Sequence, residues 1–253
     1  MIPFGLSSLM TVSMPIARRA TKCVDPDVLI PGYAAFWRFD EGTGQVLTDY
    51  SGNSLHGKLG SAAGADTNDP AWGATGLTFD GADNYVTMGT AAGLNVGNAD
   101  FTLIAVVSPA TESPVTAQAL IGKVTTTTNR FDLNLYANKF RALYRGSDAA
   151  ITISSDANYA LATPQMVTFT RAGNTLNLYV GATLQAASAS VSTEADTAAV
   201  AFTLGASNNG AIYFYAGGYH AAAVYATALT AAQIYHNYVY LKNLLAPRGV
   251  TLA

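Results

Sequence analysis

The sequence predicts an all-β sandwich of antiparallel sheets, and three observations carry that prediction. From Tyr33 onward, short apolar or alternating runs are separated by Gly, Asn, Asp and Pro, the rhythm of strands joined by turns. Gly173-Asn174 stands between two alternating runs, as a tight hairpin turn requires. A single helical signal, near the C-terminal end, breaks the pattern.

The expected strands, in order, are 34–39, 77–79, 85–88, 101–108, 119–123, 131–136, 140–144, 151–154, 166–171, 175–180, 202–205 and 219–225. In the strand 175–180, Leu176, Leu178 and Val180 alternate with Thr175, Asn177 and Tyr179, so one face meets a core and the other meets solvent or a neighbour. The helix begins at Thr230, whose pairing with Gln233 is a capping box. Ile234, Tyr238, Leu241 and Leu245 then recur at helical spacing, and Pro247 ends the helix.

Half of the residues are apolar, enough for a large core, but only 11% are charged. An average globular chain carries roughly 25%. The surface is therefore mainly Ser, Thr, Asn, Gly and Ala, with little charge to oppose contact between chains. A net charge of −3 and thirteen scattered basic residues exclude a nucleic-acid footprint, which needs clustered Lys and Arg. The one cysteine, Cys23, excludes an intrachain disulfide. The sequence has no apolar run of about 18 residues, so no membrane-spanning helix is expected.

Residues 1–32 differ from the rest. Pro3, Pro15, Pro26 and Pro31 forbid a continuous helix, and no strand alternation is present. Positive charge at Arg18, Arg19 and Lys22 follows the apolar stretch instead of preceding it, unlike a secretory signal, so the segment is expected to be retained. Leu6, Leu9, Met10, Val12 and Ile16 are too apolar for a solvated tail. Such a segment lies along its own domain, docks as an arm into another subunit, or is disordered or processed.

Five stretches, in order, carry a resemblance. They are Phe36-Trp37-Arg38-Phe39-Asp40-Glu41-Gly42 with Asp49-Tyr50-Ser51-Gly52-Asn53, then Gly76-Leu77-Thr78-Phe79-Asp80-Gly81, the hairpin 165–180, Phe202-Thr203-Leu204-Gly205, and Val224-Tyr225 with Ala228-Leu229-Thr230. Over about residues 33–240 the chain resembles the laminin-G-like modules of the concanavalin A-like lectin/glucanase superfamily. The resemblance implies a concanavalin A-like jelly-roll sandwich; the expected organisation of the chain is an arm at 1–32, a domain at 33–245 carrying a short helix, and a tail at 246–253. It departs from many relatives at Ala105-Val106-Val107, where they carry Trp, and at Tyr219-His220-Ala221, where they carry paired acids.

Glucanases of this superfamily place three carboxylates on one strand face through Glu-x-Asp-x-x-Glu. Here Glu194-Ala195-Asp196 begins the pattern, but Ala199 stands at the third position, and Glu41 and Glu112 are the remaining glutamates. There is no Gly-x-Ser-x-Gly segment, and His56, His220 and His236 are dispersed. The chain is thus expected to be no enzyme. Calcium is the one metal that fits the composition: Asp80, Asp83 and Asn84 in one turn, and Asp49 in another, supply hard oxygens. The same side chains equally serve to satisfy turn backbone groups. No other cofactor is expected. Tyr213, Tyr215 and Tyr219, near Asn208, form either a sugar-stacking surface or strand packing.

These readings lead to a non-enzymatic structural or adhesion protein. The resemblance implies a bacteriophage virion component, decorating a capsid or associated with a tail and attached by its arm in a multimeric assembly. Host-surface glycan is a further expected contact. The alternatives are an extracytoplasmic glycan-binding module and, third, a glycoside hydrolase.

Overall fold

The computed structural model describes residues 27–97, 99–113, 115–124, 130–146, 150–188, 197 and 199–253. The strands are β1 (Tyr33–Trp37), β2 (Val46–Leu47), β3 (Gly57–Leu59), β4 (Ala71–Gly73), β5 (Gly76–Asp80), β6 (Val86–Thr87), β7 (Phe101–Pro109) and β8 (Gln118–Lys123). There follow β9 (Arg130–Tyr136), β10 (Lys139–Arg145), β11 (Ile151–Ser154), β12 (Gln165–Ala172), β13 (Thr175–Val180), β14 (Thr183–Ser188), β15 (Phe202–Leu204) and β16 (Ala216–Tyr225). The helix α1 (Ala231–Leu245) closes the order, with a 3-10 turn at Ala246–Arg248.

The strands form two antiparallel sheets. The first runs β14-β13-β12-β7-β16-β5-β4, with β1 also pairing β16; the second runs β11-β10-β9-β8-β15-β6-β3-β2. The long β16 lies beside β7 and on its other edge pairs β5 through residues 216–219, then β1 through residues 222–225. Each strand expected from the sequence is present. The structure adds β2, β3, β4 and β14, which are short or rich in Ala, Ser and Thr and so carry little apolar alternation.

The main core lies between the sheets and contains Trp37, Phe79, Phe101, Leu103, Leu133, Phe169, Phe202 and Val224. A second apolar layer covers the outward face of the first sheet. There Ile104, Val106, Ala221, Ala223 and Tyr225 meet Ile234, Leu241 and Leu245 of α1. That explains the nearly unbroken apolar run of β7: a strand covered on both faces has no polar side to show. Thr230 caps α1 in a capping box with Gln233, as expected. The buried face carries Asn237, while Tyr238 is only partly buried.

Packing crosses the boundaries expected at 32/33 and 245/246. Leu29, Ile30, Val250 and Leu252 are all buried in the second layer. Asn237 explains the first crossing. Its Oδ1 accepts from Ile30 N–H (2.9 Å), its Nδ2 donates to the Tyr225 hydroxyl (2.9 Å), and that hydroxyl donates to Ile30 O (3.0 Å). Arg248 explains the second. Its guanidinium donates to the carbonyls of Arg38, Phe39 and Thr75 at 2.7, 2.8 and 2.6 Å, joining β1 to the β4–β5 turn.

Candidate functional site

On the second sheet, β9 alternates strictly. Phe131, Leu133 and Leu135 point into the main core, so Arg130, Asp132, Asn134 and Tyr136 point outward. In β10 the inward residues are Phe140, Ala142 and Tyr144, which leaves Arg141, Leu143 and Arg145 outward. The register then sets Arg141 beside Asn134 and Leu143 beside Asp132.

The polar side chains interlock. Arg130 meets Asp132 Oδ1 through both Nε and a terminal nitrogen, each at 2.9 Å. Asn134 Nδ2 donates to Asp132 Oδ2 at 2.5 Å, and Arg141 Nε donates to Asn134 Oδ1 at 2.7 Å. Asp132 and Asn134 are each 1% exposed, so these bonds are needed to offset burial of a charge and an amide. Space for Asp132 comes from Gly122 on β8, where a Cβ would lie 2.8 Å from the Asp132 Cβ. The Arg141 guanidinium also sits 4.3 Å from the centroid of the Tyr136 ring. Burial lowers the pKa of Arg141, with Asp132 acting against that shift and Arg130 reinforcing it.

Arg130, Tyr136, Arg141 and Leu143 line a cavity of about 450 Å³, closed on its other side by Val115–Ala117 and Tyr213. Tyr213 is held with φ +59°, in a loop where Asn208 and Asn209 are also left-handed. For a bulky residue this conformation is uncommon and is a form of stored strain. The Tyr213 carbonyl accepts from Ala119 N–H (2.7 Å), and the side chain remains 39% exposed. A second cavity of about 360 Å³, which includes Glu112 and Phe214, shares Tyr213 and residues 115–117.

The residues singled out from the sequence fall differently. Tyr213 lines the cavity and stays partly exposed. Tyr215 and Tyr219 do not: both are fully buried, and this corrects their reading as surface groups. Tyr219 stacks on Phe39 at 5.0 Å and donates to Leu120 O, Tyr215 sits 5.9 Å from Phe79, and burial raises both phenol pKa values far above the ordinary one. The cause is position: Tyr219 is on the core-facing side of β16, and Tyr215, just before that strand, packs into the same core. Asn208 donates its N–H to Val124 O and lies outside the residues that line the cavity.

The calcium candidates are engaged in their own turns. Asp80 Oδ1 accepts from Ala82, Asp83 and Asn84 N–H, and Asn84 Oδ1 accepts from Asp80 N–H. Asp49 accepts from Phe36 N–H and Ser51 N–H on one oxygen, and from Leu55 N–H and Ser51 Oγ on the other. Burial alone would raise the Asp49 carboxyl, but the bonds from Ser51, Phe36 and Leu55 outweigh it and the pKa is lowered. Among the described residues no three His, Cys, Asp or Glu side chains gather in a metal-holding group. Leu6, Leu9, Met10, Val12, Ile16, Cys23, Glu194 and Asp196 lie outside the described residues.

A third cavity, about 480 Å³, opens on the first sheet beside the C-terminal segment and contains His220. His220 Nδ1 bonds to Thr75 O (2.8 Å), which only accepts, so the ring proton sits on Nδ1. Nε2 therefore accepts from Ser108 Oγ at 2.7 Å. Burial lowers the His220 pKa, with Arg248 adding to the shift and the Thr75 bond opposing it.

Sequence reasoning missed Arg130, Asn134, Tyr136 and Arg141. The alternation of residues 130–136 was a visible signal that four polar groups share one face. The partnership with Arg141 depends on cross-strand register, which the alternation does not reveal.

Among solved structures, the chain is similar to Trypanosoma rangeli sialidase in complex with 2,3-difluorosialic acid, with a TM-score of 0.64 at 18% identity, over 84% of this chain and 34% of that one. It is also similar to the binding domain of Paraclostridial Mosquitocidal Protein 1 (TM-score 0.61, 11% identity, 82% of this chain and 52% of that one). The botulinum neurotoxin type G receptor binding domain gives 0.60 at 11% identity, over 84% and 52%. The chain thus spans between a third and about half of the length of these structures, and at such identities the likeness establishes the fold. No curated protein matches the chain. Residues 80–235, more than half of the sequence, match the laminin G family model described as the concanavalin A-like lectin/glucanases superfamily, and with the two-sheet sandwich the chain belongs to that superfamily.

Proposed function

We propose that this chain is a non-enzymatic adhesion module whose sandwich holds a saccharide in the cavity between β9, β10 and the Tyr213 loop. The observation that carries the reading is the set of groups in that cavity of about 450 Å³. Tyr213 presents a ring, Arg141 presents fixed donors with its guanidinium 4.3 Å from the Tyr136 ring centroid, and Arg130 also lines the cavity. Its volume falls within the ordinary range for small-ligand sites. Sugars are bound by such a combination, with rings covering C–H faces and planar donors fixing hydroxyls. Two of the structurally similar proteins are themselves named as binding domains.

The finer part of the proposal is that the module serves in a bacteriophage virion, attached to other subunits through residues 1–32. It is supported by the low charge of the chain and by the apolar Leu6, Leu9, Met10, Val12 and Ile16. The broken Glu-x-Asp-x-x-Glu pattern, with Ala199 at its end, supports binding without hydrolysis.

A glycan array and calorimetry on the full chain test the saccharide reading. Binding should appear, and Tyr213→Ala should weaken it at least about tenfold, in line with the loss of one stacked ring. β-Glucans incubated with the protein should release no reducing sugar. An array without any bound member would reject the reading.

A further inference from the structure

We propose that the saccharide held at this site is acidic, and that Arg141 reads its carboxylate or sulfate group. The inference rests on the saccharide-binding reading above and adds the ligand's charge.

The argument follows the charges. Arg130 is committed to Asp132, which it meets with two nitrogens, so that pair is close to neutral. Asp132 also receives Asn134. Arg141 is held differently. Its Nε is bonded to Asn134 Oδ1 and its central carbon sits over the Tyr136 ring, which together fix the guanidinium without neutralising it. Among the described residues no protein group accepts from its two terminal nitrogens. Arg141 lines the cavity, and none of the described lining residues is an acid. The nearby acid is Asp132, already paired; Glu112 belongs to the adjoining cavity.

A half-desolvated cation with a preset orientation and free parallel N–H groups fits a planar oxyanion, which takes both donors at once. Lysine at the same place would offer a point charge without that fork. Tyr136 would keep the fork in place, and Tyr213 would cover the sugar ring that carries the acid. A neutral sugar hydroxyl would satisfy only one donor and leave the charge uncompensated.

Matched glycans bound to the intact chain test this: sialylated against desialylated, uronate against its methyl ester, and sulfated against desulfated. The acidic member of at least one pair should bind at least about tenfold more tightly than its neutral counterpart, and that advantage should shrink as salt is raised. The winning pair identifies the acid as carboxylate or sulfate. Arg141→Gln should remove the preference, and Arg141→Lys should restore only part of it. The pair comparison and the salt series use the unaltered protein, so they decide the matter even if a variant folds poorly. Equal binding of acidic and neutral members would overturn the proposal while leaving the saccharide reading intact. Binding to no member at all would remove both.

Discussion

The outward faces of the two sheets are built by the same alternation and end in opposite states. On the first sheet the outward residues of β7 and β16 include Ile104, Val106, Ala221, Ala223 and Tyr225, and α1 covers them. On the second sheet the outward residues of β9 and β10 are mainly polar, Arg130, Asp132, Asn134, Tyr136, Arg141 and Arg145 with Leu143 among them, and a cavity opens there. The contrast teaches that the outward positions decide whether a sheet face is covered as scaffold or left lining a cavity. An apolar set attracts a helix as a second core layer. In a polar set bonded internally, Asp132 and Asn134 are buried while Arg130, Tyr136 and Arg141 line the cavity.

The largest expected effect breaks the first face. Leu241 is 1% exposed at the centre of the helix contact, so Leu241→Ala should cost about 2–5 kcal/mol of stability, measured by denaturant unfolding. Saccharide binding at the opposite face should survive wherever the variant remains folded. If binding falls in proportion to stability under native conditions, the two faces are not independent.

A smaller effect tests how the N-terminal side of the domain is held. Asn237→Ala strips Ile30 N–H of its acceptor and the Tyr225 hydroxyl of a donor, at a cost of about 1–3 kcal/mol. Faster hydrogen exchange at Ile30 should accompany the loss. Unchanged exchange would mean that burial of Leu29 and Ile30 holds the segment by itself.

The smallest effect concerns acid. His220 titrates below its ordinary value of 6.5 in the folded state, so between the folded and unfolded pKa values the unfolded chain binds more protons. The stability due to neutral His220 is fully present above about pH 6.5 and declines as the pH falls below it. Thermal melts from pH 8 to 5 should show that decline, and His220→Gln should flatten it. An unchanged slope in the variant would assign the decline to other groups.

Much of the scaffold was legible because burial on both faces writes itself into composition. The run 103–107 is apolar without interruption, and the Thr230–Gln233 box marks the helix start. Short edge strands such as β14 were not legible, because a half-exposed Thr-Leu-Gln-Ala-Ala-Ser segment has no apolar face to betray it. Tyr213, Tyr215 and Tyr219 looked alike in one dimension. A left-handed turn at Tyr213 exposes the first, while pairing in β16 and the approach to it buries the other two. The arginine cluster depended on the pairing of β9 with β10, and Asn237 hid within an otherwise apolar stripe.

The Asn237 anchor also gives the module a back and a front. Leu29 and Ile30 are fastened on the helix side of the first sheet. The cavity faces away from it, across the full thickness of the sandwich, whose sheets alone stand about 10 Å apart. A force applied at Ile30 and a ligand held at Tyr213 would therefore act on opposite sides of the sandwich. Tension between them would pass through β1, which is laced to the centre of the sheet by its pairing with β16 and clasped at its root by Asn237 and Tyr225.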